Sequence, residues 1–221
     1  MLRERWVLEA TQSEDYILVM NTLTRLLAPA AAVLALAVPA MADPIPLSQI
    51  SAYFNGWKTA EADFTQINGD GTVSTGTLFI KRPGRMRFEY DPPEEALVLA
   101  SAGAVAVYDP KSNGGPNTYP LDRTPLSLIL SNTVDLGRAN MVTDHREEGP
   151  ATVVRAQDPE HPDYGFIELV LTGDPVELRQ WVVHDSGGSV TTVALGHMQT
   201  GVSLGDSMFR MVGAFDEDNG R

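Results

Sequence analysis

The chain has 221 residues, a formal net charge of −13 and no cysteine. The missing thiols exclude disulfides, thiolate zinc sites, cysteine nucleophiles and a lipid-modified N-terminal cysteine. The acidic balance, with no clustered Lys/Arg stripe, argues against nucleic acid as a partner, because phosphate-backbone binding rests on such clusters.

From Met20 the chain reads MNTLTRLLAPAAAVLALAVPAMA: one basic residue, Arg25, an apolar run from Leu26 to Val38, then Ala40-Met41-Ala42. A short basic region, an apolar run too brief for a membrane span and a small-residue ending make the pattern of a secretory signal, residues 20–42, cut after Ala42. Residues 1–19 carry Glu4, Glu9, Glu14 and Asp15, which suit no signal peptide. They are expected to be an upstream extension, with Met20 as the true start. The remainder, residues 43–221, contains no second apolar segment and reads as one soluble exported domain.

PLSQISAYFNGWKT places Leu47, Ile50, Phe54 and Trp57 at offsets of 0, 3, 7 and 10, one face of an amphipathic helix, with Pro46 near its first turn. From Glu61 the period changes to two. EADFTQIN and TVSTGTLFIKR flank a GDG turn, and RMRFEYDPP, EALVLAS, AVAVYDP and TYPL follow with short polar connections. Thr124 and Pro125 then open a short apolar helix, TPLSLIL, with a second short turn through Val134 and Leu136. Strands resume with TVVRAQ, FIELVLTG, VELRQWVVHD and VTTVALGHMQTGV. The fold class is therefore α+β, mainly β: one antiparallel sheet of about ten strands, long enough to curl, with a helix before it and an apolar helical insertion within it. Two helices cannot cover both faces. Lying over the concave face, they would enclose an apolar cavity.

Several motifs suggest chemistry and are better explained by turns. NGDGT lacks the later oxygen ligands and closing glutamate of a calcium loop, so a hairpin is expected. Ser186 and Ser189 lie in a Gly-Gly turn, not on the strand-to-helix elbow of a hydrolase, and Ser207 is close to the C-terminus. His145, His161, His184 and His197 share no ligand spacing. No catalytic residue, metal or cofactor is assigned, although a secreted serine hydrolase stands as the enzymatic alternative.

One residue breaks the pattern. In TGTLFIKRPGRMRFEY, strand alternation puts Leu78 and Ile80 on one face, and Arg82 falls in phase with them. A permanently charged group with five donors at the end of an apolar row can bond the carbonyls of a facing segment and hold it shut. Leu78, Ile80, Met86 and Phe88 on neighbouring strands, with Leu126, Ile129 and Leu130 on the insertion, make either an ordinary core or, with Arg82 at the rim, the apolar lining beneath a lid.

GTLFIKRPGRMRFEYDPPEEALVLASAGAVAVYDP (76–110), preceded by EADFTQ (61–66) and followed by TPLSLIL (124–130), resembles the periplasmic outer-membrane lipoprotein carrier family, LolA. The resemblance implies an unclosed β-barrel capped by helices, with a cavity that takes lipoprotein acyl chains. It makes Arg82 the latch of a lid, and Trp57 with the seven lining residues the acyl-chain contacts. Met86 and Phe88 match aromatic positions, so Met86 is a departure, and MFRMVGAF lacks the proline usual after the last strand. The resemblance further implies a monomeric, non-enzymatic carrier whose partners are lipoproteins, an ATP-driven releasing complex of the inner membrane and an outer-membrane acceptor lipoprotein. A lipid-sensing regulatory domain on the same half-barrel is the nearest alternative.

Overall fold

The structure, a computed structural model, describes residues 43–111 and 115–211. The segments read as an upstream extension (1–19) and a signal (20–42) lie outside the described residues. A nine-residue helix, α1 (Leu47–Asn55), comes first. It is followed by β1 (Thr59–Ile67), β2 (Val73–Lys81), β3 (Arg85–Tyr90), β4 (Leu97–Ser101), β5 (Ala104–Tyr108) and β6 (Asn117–Pro120). A 3₁₀ turn and the short helix α2 (Leu126–Leu130) interrupt the strands. Then come β7 (Val142–Glu148), β8 (Ala151–Gln157), β9 (Gly165–Thr172), β10 (Glu177–Asp185), β11 (Val190–Leu195) and β12 (Gln199–Thr200).

All twelve strands join one antiparallel sheet in the order β6-β5-β4-β3-β2-β1-β11-β10-β9-β8-β7, with β12 also on β1. Strands β6 and β7 end the order and do not pair with each other, so the sheet is not closed into a barrel. This is the mainly β, unclosed architecture expected from the sequence. No helix among the described residues is long and apolar enough to cross a membrane.

Three local readings are corrected. Strand β7, VTDHREE, was missing from the expected order; its charges hide the alternation, as is common for the outermost strand of a sheet, where charge discourages pairing with another chain. The run from Val190 to Val202, expected as one strand, breaks after Leu195 and resumes at Gln199. The first helix ends at Asn55, where the Gly56 N–H reaches the carbonyls of Ala52 and Tyr53, so Trp57 packs from beyond the helix rather than from its face.

One face of the sheet and α1 share the main apolar cluster, in which Ile50, Phe54, Leu78, Ile167, Leu169 and Trp181 are buried. On the opposite face the chain after β12 crosses the outside of β2 to β4, burying Leu204 and Phe209 against Leu99. The charges alternating with the apolar row hold it there. The Asp206 carboxylate meets Lys81 at 2.7 Å and Arg85 at 2.6 Å, and Arg87 donates to the Met208 carbonyl at 2.8 Å. Lys81 and Arg85 keep the exposed Asp206 carboxyl below the usual carboxylate range through hydrogen bonding and charge.

At Gly76, opposite Phe64 and Tyr90 in the ladders, a Cβ would stand 2.0 Å from the Glu89 carbonyl oxygen and 2.9 Å from Phe64 Cε1. Gly76→Ala must therefore push β2 and β3 apart. We expect a loss of roughly 3 kcal/mol in unfolding free energy by urea titration; an unchanged midpoint would contradict the close approach.

Candidate functional site

The apolar row is made by register. Leu78 faces Phe88 and Ile80 faces Met86 across β2 and β3, and the next strand places Val98 and Ala100 beside them. Phe64 on β1 meets Phe88 and Tyr90 edge-on, each at 5.1 Å between ring centres, and Phe88 meets Trp181 at 6.4 Å. Across from this wall stand Phe54 and Trp57, with Ile129 and Leu130 of α2. All eight residues expected to line the interior fall in this one cluster, Leu126 at its partly buried margin. The cavity expected beneath the helices is closed down at these residues. Leu78 and Met86 are 1% exposed and Trp57 8%, packed beneath the helices. The collapse has a plain cause: an empty apolar hollow forfeits dispersion contacts along its whole lining. A cleft of about 360 Å³ lies elsewhere, between the start of α1 and the β7–β8 turn, and includes Asp43, Gln49, Glu147 and Asp174.

Arg82 follows the last residue of β2 and is 3% exposed. Its Nε and Nη2 donate to the Ser131 carbonyl at 3.0 and 2.7 Å. Its Nη1 donates to the carbonyls of Phe54 and, at 3.3 Å, Trp57. The guanidinium carbon stands 5.4 Å from the Trp57 ring centre. One side chain thus ties the end of α1 to the residue that follows α2. These acceptors are neutral carbonyls, and burial pulls the guanidinium's pKa down from its ordinary value. It remains a cation, because arginine starts so high. Burying it costs several kcal/mol, and charge-assisted hydrogen bonds return about 1.5–3 kcal/mol each.

The segment after α2, residues 131–136, is a strap held along its length. Asn55 bonds Val134 twice, donating from Nδ2 to its carbonyl at 2.8 Å and accepting its N–H at Oδ1 at 2.9 Å. The Ser51 hydroxyl, one turn earlier on α1, accepts the Leu136 N–H at 3.0 Å. Lys58 Nζ donates to the Asn132 carbonyl at 2.9 Å, and the Gly84 N–H to the Leu130 carbonyl at 2.8 Å. Buried Val134 and Leu136 secure the strap from below.

The family model for the outer membrane lipoprotein carrier protein LolA matches residues 55–212. The chain belongs to the LolA family. An outer-membrane lipoprotein carrier protein of Methylobacillus flagellatus is 26% identical over 196 residues, covering 85% of this chain and 95% of that protein. Its counterpart from Methylococcus capsulatus is 25% identical over 178 residues, covering 76% and 84%. Among solved structures, a LolA superfamily protein from Nitrosomonas europaea aligns with a TM-score of 0.39 at 9% identity, over 76% of this chain and 98% of that one.

Within this LolA-family chain, the sequence pattern found Arg82 and the row it ends. It missed Phe64 and Trp181, and it put Tyr90 on the face of Met86 and Phe88 without counting it in the lining. Trp181 was hidden by a register shift between Leu178 and Gln180, which brings Leu178 and Trp181, three apart, to the same face. Tyr90 donates to Gln66 Oε1 at 2.7 Å, and burial pushes its phenol up to about 12. The i, i+4 pair Ser51 and Asn55 was a readable polar stripe beside the apolar face of α1, but its partners lie far along the chain. The motifs set aside as turns are turns. Asp70 accepts from the Thr72 N–H at 2.9 Å and from its hydroxyl at 2.7 Å, and Asp185 accepts from the N–H groups of Gly187 and Ser189 at 2.8 and 2.9 Å. Among the described residues no three His, Cys, Asp or Glu side chains converge as metal ligands.

Asn55→Ala strands both polar groups of Val134, which should cost about 1–3 kcal/mol of the closed arrangement. Hydrogen exchange at the Val134 and Leu136 amides should accelerate accordingly while the β9 and β10 amides keep their protection. Unchanged strap exchange would deny Asn55 a part in closure.

Proposed function

We propose that this protein carries the acyl chains of lipoproteins from the inner to the outer membrane, in the interior that α1, α2 and the strap close. One observation carries the reading: the buried Arg82 guanidinium, with no carboxylate partner among the described residues, ties the end of α1 to the residue after α2 over an apolar wall. Membership of the LolA family and the carrier names of its relatives support it. By the same relation the partners are an ATP-driven releasing complex in the inner membrane and an acceptor at the outer membrane. The setting is the periplasm, which agrees with the secretory pattern of residues 20–42. No enzymatic step is needed.

The energetics explain why such a carrier works. Each buried methylene is worth about 0.8 kcal/mol, so exposing a chain of roughly fifteen carbons to water costs on the order of 12 kcal/mol. An interior about as apolar as a bilayer makes transfer in and out nearly balanced. Loading must lift Arg82 from the Ser131 carbonyl, and release restores that bond. The latch therefore sets affinity below the maximum the apolar wall could give, and so allows delivery.

Arg82→Leu keeps the apolar wall and removes the latch. The variant should load a lipoprotein as fully as wild type and pass it to outer-membrane vesicles at least about tenfold more slowly; normal delivery would refute the latch. For the reading as a whole, native mass spectrometry of the protein purified from periplasm should show co-purifying acylated polypeptide. Consistent recovery of cargo-free protein from cells rich in lipoprotein would count against carriage.

A further inference from the structure

Among the described residues, one buried side-chain nitrogen lacks a hydrogen-bond partner: Nε1 of Trp57. The residue is 8% exposed and packs in the interior cluster with Phe54, Ile129 and Leu130. Two backbone carbonyls at this point are engaged by Arg82. The Trp57 carbonyl accepts from Arg82 at 3.3 Å, and the Lys58 carbonyl accepts the Arg82 backbone N–H at 2.7 Å. Buried donors in native proteins are nearly always satisfied, so an orphan beside the latch needs a reason.

Packing does not supply one. The Trp57 ring meets Tyr53 and Phe54 at 6.2 and 6.0 Å between centres, contacts that a phenyl ring also makes. Beyond ring area and a more electron-rich face for the Arg82 guanidinium, which a phenyl ring offers in lesser degree, what the indole adds is a donor. A donor with no acceptor raises the free energy of the empty form, and the deficit disappears only when an occupant brings an acceptor. The position says what kind of occupant. Trp57 lies between the end of α1 and the start of β1, beside Arg82, the residue that terminates the apolar row. A hydrocarbon laid along that row runs out here, and its polar junction comes to rest next to the indole.

We propose that the Trp57 indole N–H donates a hydrogen bond to an ester or amide carbonyl joining the acyl chains to the head of the cargo, an inference that rests on the carrier reading above. Trp57 is then a specificity residue for carbonyl-linked chains. Ether-linked chains of the same length offer the wall the same hydrocarbon but no comparable acceptor.

The test uses the full chain and two synthetic lipopeptides with identical saturated chains, one ester-linked and one ether-linked, titrated by calorimetry. Wild type should bind the ester form about tenfold more tightly, and Trp57→Phe should bring the ratio to within about twofold of unity. Independently of any variant's folding, the ¹⁵N-labelled indole resonance of wild-type Trp57 should move downfield with the ester ligand and not with the ether. Equal wild-type affinity for both ligands, an ester preference that survives Trp57→Phe, or an indole resonance indifferent to the ester overturns the inference and leaves carriage standing. If wild type binds neither lipopeptide, both readings fall.

Discussion

Taking a guanidinium out of water costs several kcal/mol, and Arg82 recovers that cost from the backbone carbonyls of Ser131, Phe54 and Trp57. Carbonyl acceptors can be left behind without stranding an opposite charge, whereas a buried carboxylate partner would have made opening far more costly. The chain reaches this arrangement by extending an apolar strand pattern one residue beyond the last paired position. The same two-residue period that buries Leu78 and Ile80 delivers Arg82 to the edge of the interior.

The neighbouring residue shows the other half of that logic. Lys81 points to the opposite face and takes the Leu204 carbonyl at 2.6 Å and the Asp206 carboxylate at 2.7 Å. Two successive side chains at one strand end therefore fix the cover on the inside and the C-terminal crossing on the outside. Arg85 and Arg87 extend the outer attachment, so the basic residues alternating with the apolar row have partners of their own.

Whatever repeats locally could be read from the sequence. The apolar face of α1, the β1–β2 hairpin and the row from Leu78 to Phe88 are each set by spacing within a few residues, and Arg82 stood out because it obeyed the spacing while violating the chemistry. What escaped depends on distant partners or on a lost period. Strand β7 is defined by its pairing with β8 rather than by its own alternation. The irregularity near Leu178 inverts the face assignment of everything after it in that strand, Trp181 included. Asn55 and Val134, 79 residues apart, meet only because α2 brings the strap back over α1. Arg82 was legible as one residue; the row of hydrogen bonds along residues 131–136 was not.

The missing pairing between β6 and β7 has a mechanical consequence. A closed barrel has a girth fixed by strand number and stagger, and widening it means tearing a ladder. Here the two outermost strands are free to part, so the circumference can grow by a small twist spread over ten ladders, with every one of them intact. An open sheet of this kind can change its girth as a spring clip does, without breaking a ladder.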